Sequence, residues 1–249
     1  MREKFSSLIN NFIKEYQSKN NLFAKWEDVL VGFSKVDDKN MNYLREAVIE
    51  NHHLATDYLE DAKTMISYFV PFKESIANSN KEGTLPSDVW VHSYRETNEM
   101  ADKLNDYLVA EIEKMGYKAA KPVDCGIVDG KAKSRWSQRH IAYLSGLGTF
   151  GLNNMLITEK GINGRFFSIV TNMEIGTDEP LKEERCLYKL NGSCGKCVER
   201  CFSGALRYDG FDRFKCLDIC VENERNNKMA DVCGKCTIGL PCTFKNPLK

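Results

Sequence analysis

Nine of the ten cysteines crowd into one stretch: Cys186, Cys194, Cys197, Cys201, Cys216, Cys220, Cys233, Cys236 and Cys242, with only Cys125 outside. The spacing reads C-x7-C-x2-C-x3-C, then C-x3-C, then C-x2-C-x5-C. A C-x2-C pair sets two thiolates on one tight turn, so both reach one metal centre. A cysteine three residues further on lies on the first turn of a following helix and points elsewhere. Thiolates in this pattern suit iron–sulfur clusters or zinc. Eight of them could hold two structural zinc ions. Zinc ribbons, however, pair their C-x2-C units symmetrically and have no use for a third cysteine at the x3 position. Disulfides fit less well, because the sequence opens without a secretory leader and adjacent C-x2-C pairs favour metals over long-range bridges. A radical-SAM site wants C-x3-C-x2-C, and Cys216-x3-Cys220 lacks the third cysteine.

The elements that must position these thiols can be read in order. At 249 residues the chain can hold an ordinary domain plus a small cysteine-rich one. The 35 basic and 35 acidic residues balance, so no global pull toward nucleic acid or anionic membrane is expected. No apolar run reaches the length of a membrane span, and cysteines without a leader point to a reducing, cytoplasmic setting. Phe5, Leu8, Ile9, Phe12, Ile13 and Tyr16 mark one face of a helix over 4–19. A second helix is expected from Asn42 to Leu59, carrying His52 and His53, which would point different ways and share no metal. Met65 to Val70, closed by Pro71, reads as a buried strand. Residues 74–88 read as a polar loop. A long helix is expected from about Tyr94 to Met115, ended by Gly116, then a strand over Tyr117–Cys125. Ser134 is expected to cap a helix running to Ser145.

After that helix comes Gly146-Leu147-Gly148-Thr149-Phe150-Gly151, which matches G-x-G-x-x-G letter for letter. A dinucleotide fingerprint must follow a strand and open a helix. Here the glycines follow a helix and precede an expected strand at Asn154–Thr158, so they read as a loop whose backbone approaches a ligand closely. Phe166 to Val170 is a further strand. The boundary falls near Gly176–Pro180, giving domains 1–178 and 179–249.

Two resemblances add to this reading. Cys194, Cys197 and Cys201, followed by Phe202-Ser203-Gly204-Ala205-Leu206, resemble the bacterial ferredoxin signature, whose fourth cysteine ligates the other cluster. Asn191 stands where that signature has its first cysteine, and Phe202 where it has proline. The resemblance implies one [4Fe–4S] cluster on Cys186, Cys194, Cys197 and Cys242, and another on Cys201, Cys216, Cys233 and Cys236. Cys220 and Cys125 are left free, and Cys220 could exchange roles with Cys216.

The stretch Trp136-Ser137-Gln138-Arg139-His140, with Ala142, the glycine loop through Asn154 and Leu156-Ile157-Thr158, followed by the cysteines, resembles the epoxyqueuosine reductase family and the related reductive dehalogenases. The resemblance implies an α+β fold: a nitroreductase-like α/β cofactor domain, then a ferredoxin-like domain with two [4Fe–4S] clusters. It implies cobalamin against Gly146, Leu147, Gly148, Phe150 and Gly151, electrons from an external donor of ferredoxin or flavodoxin type, and a small-molecule or corrinoid substrate. The family's acid falls on Asp124, with His140 or a tyrosine as another candidate. Lys131, Lys133, Arg135 and Arg139 could bind phosphate or form a solvated face. The sequence ends at Lys249, where the family carries a repeat domain that grips tRNA, so a short form is expected and tRNA is a doubtful substrate. An electron-transfer or corrinoid-reactivating protein and a zinc-stabilised binding protein are the competing readings.

Overall fold

In the computed structural model, residues 1–123, 127–128 and 130–249 are described. The chain opens with α1 (Arg2–Lys19), β1 (Leu30–Lys35), α2 (Asp38–Ala47), α3 (Ala55–Tyr58) and β2 (Thr64–Pro71). Then come α4 (Glu74–Ser79), α5 (Asp88–Lys114), β3 (Ala119–Ala120), β4 (Ile127–Val128), β5 (Lys133–Ser134) and α6 (Gln138–Leu144). The hairpin β6 (Gly148–Phe150) and β7 (Leu156–Thr158) leads into β8 (Gly164–Thr171). The cysteine segment contributes α7 (Leu187–Asn191), α8 (Lys196–Glu199), β9 (Leu206–Arg207), β10 (Gly210–Phe211) and α9 (Arg213–Asn227).

The main sheet has the order β1-β2-β8-β3, and its strand pairings are antiparallel. All eight residues of β2 are buried, which requires cover on both faces. Alternation sorts them. Ile66, Tyr68 and Val70 face α1 and α5, meeting Phe5, Ile9, Leu104 and Leu108. Met65 faces the other way, into Trp136, Ile141 and Leu144 around α6 and Leu44 of α2. Each of the fully buried leucines contributes about 2 kcal/mol by leaving water.

The cysteine segment is tied to this body. After α9 the chain returns, and Ala230, Val232 and Ile238 enter the same core as Trp90 and Leu104. Lys235, 2% exposed, donates to the carbonyls of Asn80 and Glu82 at 3.0 and 2.7 Å.

Several sequence expectations shift. The expected Asn42–Leu59 helix is two helices, with His52 and His53 in the turn between them. The His52 ring is engaged by the His53 carbonyl (2.6 Å) and the Ser137 N–H (2.9 Å), bonds a continuous helix would not supply. The polar loop 74–88 contains α4. The long helix starts at Asp88, because Ser87 caps it by accepting from Trp90 N–H. The shorter helix α6 begins at Gln138 after Ser137, not at Ser134, since Ser134 is in β5 and Trp136 is buried with its Nε1 donating to Ser168 Oγ at 3.0 Å. Within the expected Tyr117–Cys125 strand, Ala119–Ala120 pairs with β8, and Cys125 lies outside the described residues.

His52 makes stability pH-dependent. Burial drives its pKa from 6.5 down to about 4, so between those values the folded state binds fewer protons than the unfolded one. Stability therefore declines as pH falls through this window. From pH 6.5 to 5 the loss at this residue should be about 2 kcal/mol. Urea unfolding of His52→Gln should show a correspondingly weaker acid dependence than the unsubstituted chain; parallel pH curves would contradict it.

Candidate functional site

The fold gathers the cysteines into two groups. Cys186, Cys194, Cys197 and Cys242 line one cavity, with about 380 Å³ of empty volume, alongside Gly151 and Leu152. Burial, then repulsion from Cys186, pushes the thiols of Cys197 and Cys242 up to about 11 and about 12. In the second group, burial and the neighbours Cys233, Cys216 and Cys201 raise the Cys236 thiol well above its ordinary range. Burial also raises Cys233. Cys220, one turn after Cys216 on α9, donates to it, so the Cys216 thiolate is favoured and the Cys220 thiol is disfavoured as an anion. Crowded, buried thiols of this kind lose their protons when a metal centre compensates the charge. Among the described residues, no three His, Cys, Asp or Glu side chains converge on a point for a single metal ion.

A second, larger space lies beside α6. It is a solvent-open cleft with about 1780 Å³ of empty volume. One wall is a polar row on α5, Asn98, Asp102 and Asn105; another is Trp136 through Arg139; a third is Gly164 through Phe167 on β8. Asn98 Oδ1 is buried without a hydrogen-bond partner, while Asn105 Oδ1 accepts from Tyr68 OH at 2.8 Å. This row escaped the sequence reading. Its signal was present: three polar residues at i, i+4 and i+7 on a helix otherwise apolar toward the body.

The expected site residues are distributed unequally between these spaces. Asp124 lies outside the described residues, although Pro122 and Val123 just before it line the cleft. His140 bonds Ser137 Oγ at 2.8 Å and packs on Phe150 with ring centroids 4.6 Å apart. Burial, then Arg139, lowers its pKa to about 3, so at neutral pH it holds no imidazolium proton to donate. The glycines are packed against the chain itself. A Cβ on Gly146 would meet Glu179 O at 2.9 Å, and one on Gly148 would meet Ile157 O at 2.4 Å. Leu147 packs with Ala142 and Leu156. Gly151 lines the first cysteine cavity, and Phe150 packs against His140 and Tyr143. The loop runs from a helix into a hairpin, as expected for a non-dinucleotide turn.

One turn touches both cysteine groups and the cleft. Gly151 and Leu152 border the first cysteine cavity. Asn153 Nδ2 donates to Cys236 O at 2.9 Å. Asn154 O accepts from Arg139 at 2.6 Å, and Met155 lines the cleft.

No family model matches the chain. It is similar to known proteins nonetheless. Over 204 residues it is 28% identical to an epoxyqueuosine reductase of Lactococcus garvieae, covering 72% of this chain and 53% of that one. A solved epoxyqueuosine reductase with an epoxyqueuosine-modified tRNA-Tyr stem loop superposes with a TM-score of 0.55 at 20% identity, covering 95% of this chain and 65% of that one. A reductive dehalogenase whose structure suggests a mechanism for B12-dependent dehalogenation superposes with a TM-score of 0.61 at 15% identity, covering 87% and 30%. The fold is therefore the mixed helix-and-sheet fold of epoxyqueuosine reductases and reductive dehalogenases. In sequence, the likeness to the epoxyqueuosine reductase family that the motifs suggested is shown. The chain spans about half the length of the curated relatives it matches. Among the described residues, no helix is long and apolar enough to cross a membrane.

Proposed function

We propose that the chain is a cytoplasmic iron–sulfur reductase of epoxyqueuosine reductase type. Residues 1–178 form a nitroreductase-like cofactor domain and 179–249 a ferredoxin-like one. The single observation that carries this reading is that Cys186, Cys194, Cys197 and Cys242 line one cavity; one cluster is assigned to them and the other to Cys201, Cys216, Cys233 and Cys236, with Cys220, bonded to Cys216, as the alternative ligand. The third cysteine at the x3 position, which symmetric zinc ribbons do not use, favours four-iron cages over zinc.

A corrinoid suits the cleft. Its rim of amides matches Asn98 and Asn105 on one wall and Gln138 on another, and the buried, unpartnered Asn98 Oδ1 lacks a donor of the kind an amide supplies. Such a cofactor supplies the low-potential reductive chemistry, while the protein supplies position and exclusion of water. Trp136, Phe166 and Phe167 give the cleft apolar surface, and Gly146–Gly151 hold the turn that links it to the cysteines. Asp124, next to Val123 at the cleft, is the proposed proton donor. Electrons come from an external carrier of ferredoxin or flavodoxin type. The balanced charge does not weigh against tRNA, since a relative of this fold holds a tRNA stem loop; tRNA stands beside a small molecule as substrate class.

Anaerobic purification tests the reading. About eight irons per chain and retention of added hydroxocobalamin are expected. A colourless protein carrying zinc would overturn it, and iron without retained corrin would remove the cofactor from it. Within the second group, Cys216→Ala should cost about four irons, whereas Cys220→Ala should cost none; the reverse result would move the ligand to Cys220.

A further inference from the structure

The two cysteine groups differ in the charge around them. Beside the first group stands Arg185, 5% exposed. Its guanidinium is held by Glu159 and by Glu183 (3.3 Å), so its charge is cancelled locally. Beside the second group stand two cations without that compensation. Lys235 sits between Cys233 and Cys236, and its Nζ binds the carbonyls of Asn80 and Glu82. Arg139 donates to the carbonyl of Asn154 and touches Met155 Sδ at 3.5 Å. The adjacent Asn153 is bonded to Cys236 O. Among the described residues, neither Arg139 nor Lys235 has a carboxylate within ion-pair distance.

Lys235 is buried and Arg139 half-buried, and a cation drawn out of water without an ion pair favours negative charge close by. Burial lowers the Arg139 pKa, and nearby Arg213 and Arg165 lower it further, while Cys236 and Cys216 act in the opposite sense. On Lys235 burial and Arg200 act against the charge, while Cys233 and, beyond ion-pair distance, Glu82 act for it. A cluster on four thiolates is anionic and gains one more negative charge on reduction. Net charge and hydrogen bonding around a cluster set its potential, so uncompensated cations favour the reduced form.

We propose that Arg139 and Lys235 are positioning residues that hold the centre on Cys201, Cys216, Cys233 and Cys236 at a higher reduction potential than the centre on Cys186, Cys194, Cys197 and Cys242. This rests on the two-cluster reading above. An electron entering from the external carrier then passes from the first centre to the second, one electron at a time. No proton moves, because the guanidinium and the ammonium keep theirs. Arg139 also lines the cleft, so the higher-potential centre is the one electrostatically joined to it.

The test is a dithionite redox titration of the anaerobic, iron-loaded protein, followed by electron paramagnetic resonance. Two midpoint potentials separated by a gap are expected. Arg139→Gln and Lys235→Met should each lower the higher potential and leave the lower one in place, and Arg139→Lys should restore it. The opposite manipulation avoids the buried positions. Glu183→Gln, on a side chain 47% exposed, removes one of the two carboxylates on Arg185 and should raise the lower potential, so the gap narrows from the other side. A gap unchanged in both Arg139→Gln and Glu183→Gln, in protein carrying its full iron, overturns the inference. Iron far below eight atoms in the unsubstituted chain overturns the cluster reading instead.

Discussion

Cys242→Ala should strip about half of the iron, leaving about four of some eight atoms per chain. The expected loss is large because the first centre loses one of its four thiols. That thiol faces Cys186, Cys197 and Cys194 across the first cavity. Free energy of metal binding is in part free energy of folding, so the variant should also unfold at lower temperature. Iron and acid-labile sulfide analysis, with thermal unfolding under anaerobic conditions, measures both effects. Full iron content in this variant would remove Cys242 from the first centre.

Gly161→Ala should destabilise the chain by about 3–4 kcal/mol. Gly161 has a φ of +73°, and a Cβ there would lie 2.4 Å from Thr243 O and 2.6 Å from Phe244 N. The left-handed backbone costs an L-residue about 1–2 kcal/mol. Forcing backbone apart adds about 1–3 kcal/mol. For a chain of this size that corresponds to a fall of roughly 10 °C in Tm. Because the clashing atoms adjoin Cys242, the first centre should be lost before the second as temperature rises. A Tm within a few degrees of the unsubstituted chain would show that the 243–244 backbone gives way easily.

The strongest parts of this architecture were legible because they rest on local rules. The spacing of Cys186, Cys194 and Cys197 groups cysteines that, with Cys242, line one cavity in the fold. The run Met65–Val70 is apolar at every position, as a strand covered on both faces must be, and β2 is buried throughout. The glycines follow a helix and lead toward a strand, as their sequence context indicated. What escaped depends on distant partners. The edge strand β1 contains Gly32, where a Cβ would meet Ser145 O at 2.2 Å; only the packed α6 explains that glycine. Residues 48–54 have the periodicity of a helix, yet the His52 ring reaches Ser137, 85 positions later, and holds them in a turn. The cleft was missed for a similar reason. Asn98, Asp102 and Asn105 look like an ordinary solvated helix face until β8 and α6 are set opposite them. The role first expected of the glycines, to lie beside a ligand, is answered in the fold by close contact with Glu179, Ile157 and Asn153.

The returning segment after α9 has a consequence for how this polypeptide can be divided. Trp90 lies against Gly234, whose Cβ position is only 2.5 Å from the indole ring, and Val232 and Ile238 complete the packing around it. A break near residue 178 would leave one fragment with an uncovered tryptophan and the other with bare valine and isoleucine. Neither fragment should be monomeric and well folded by itself. Co-expression of the two should rescue them together, with iron retained in the rejoined pair.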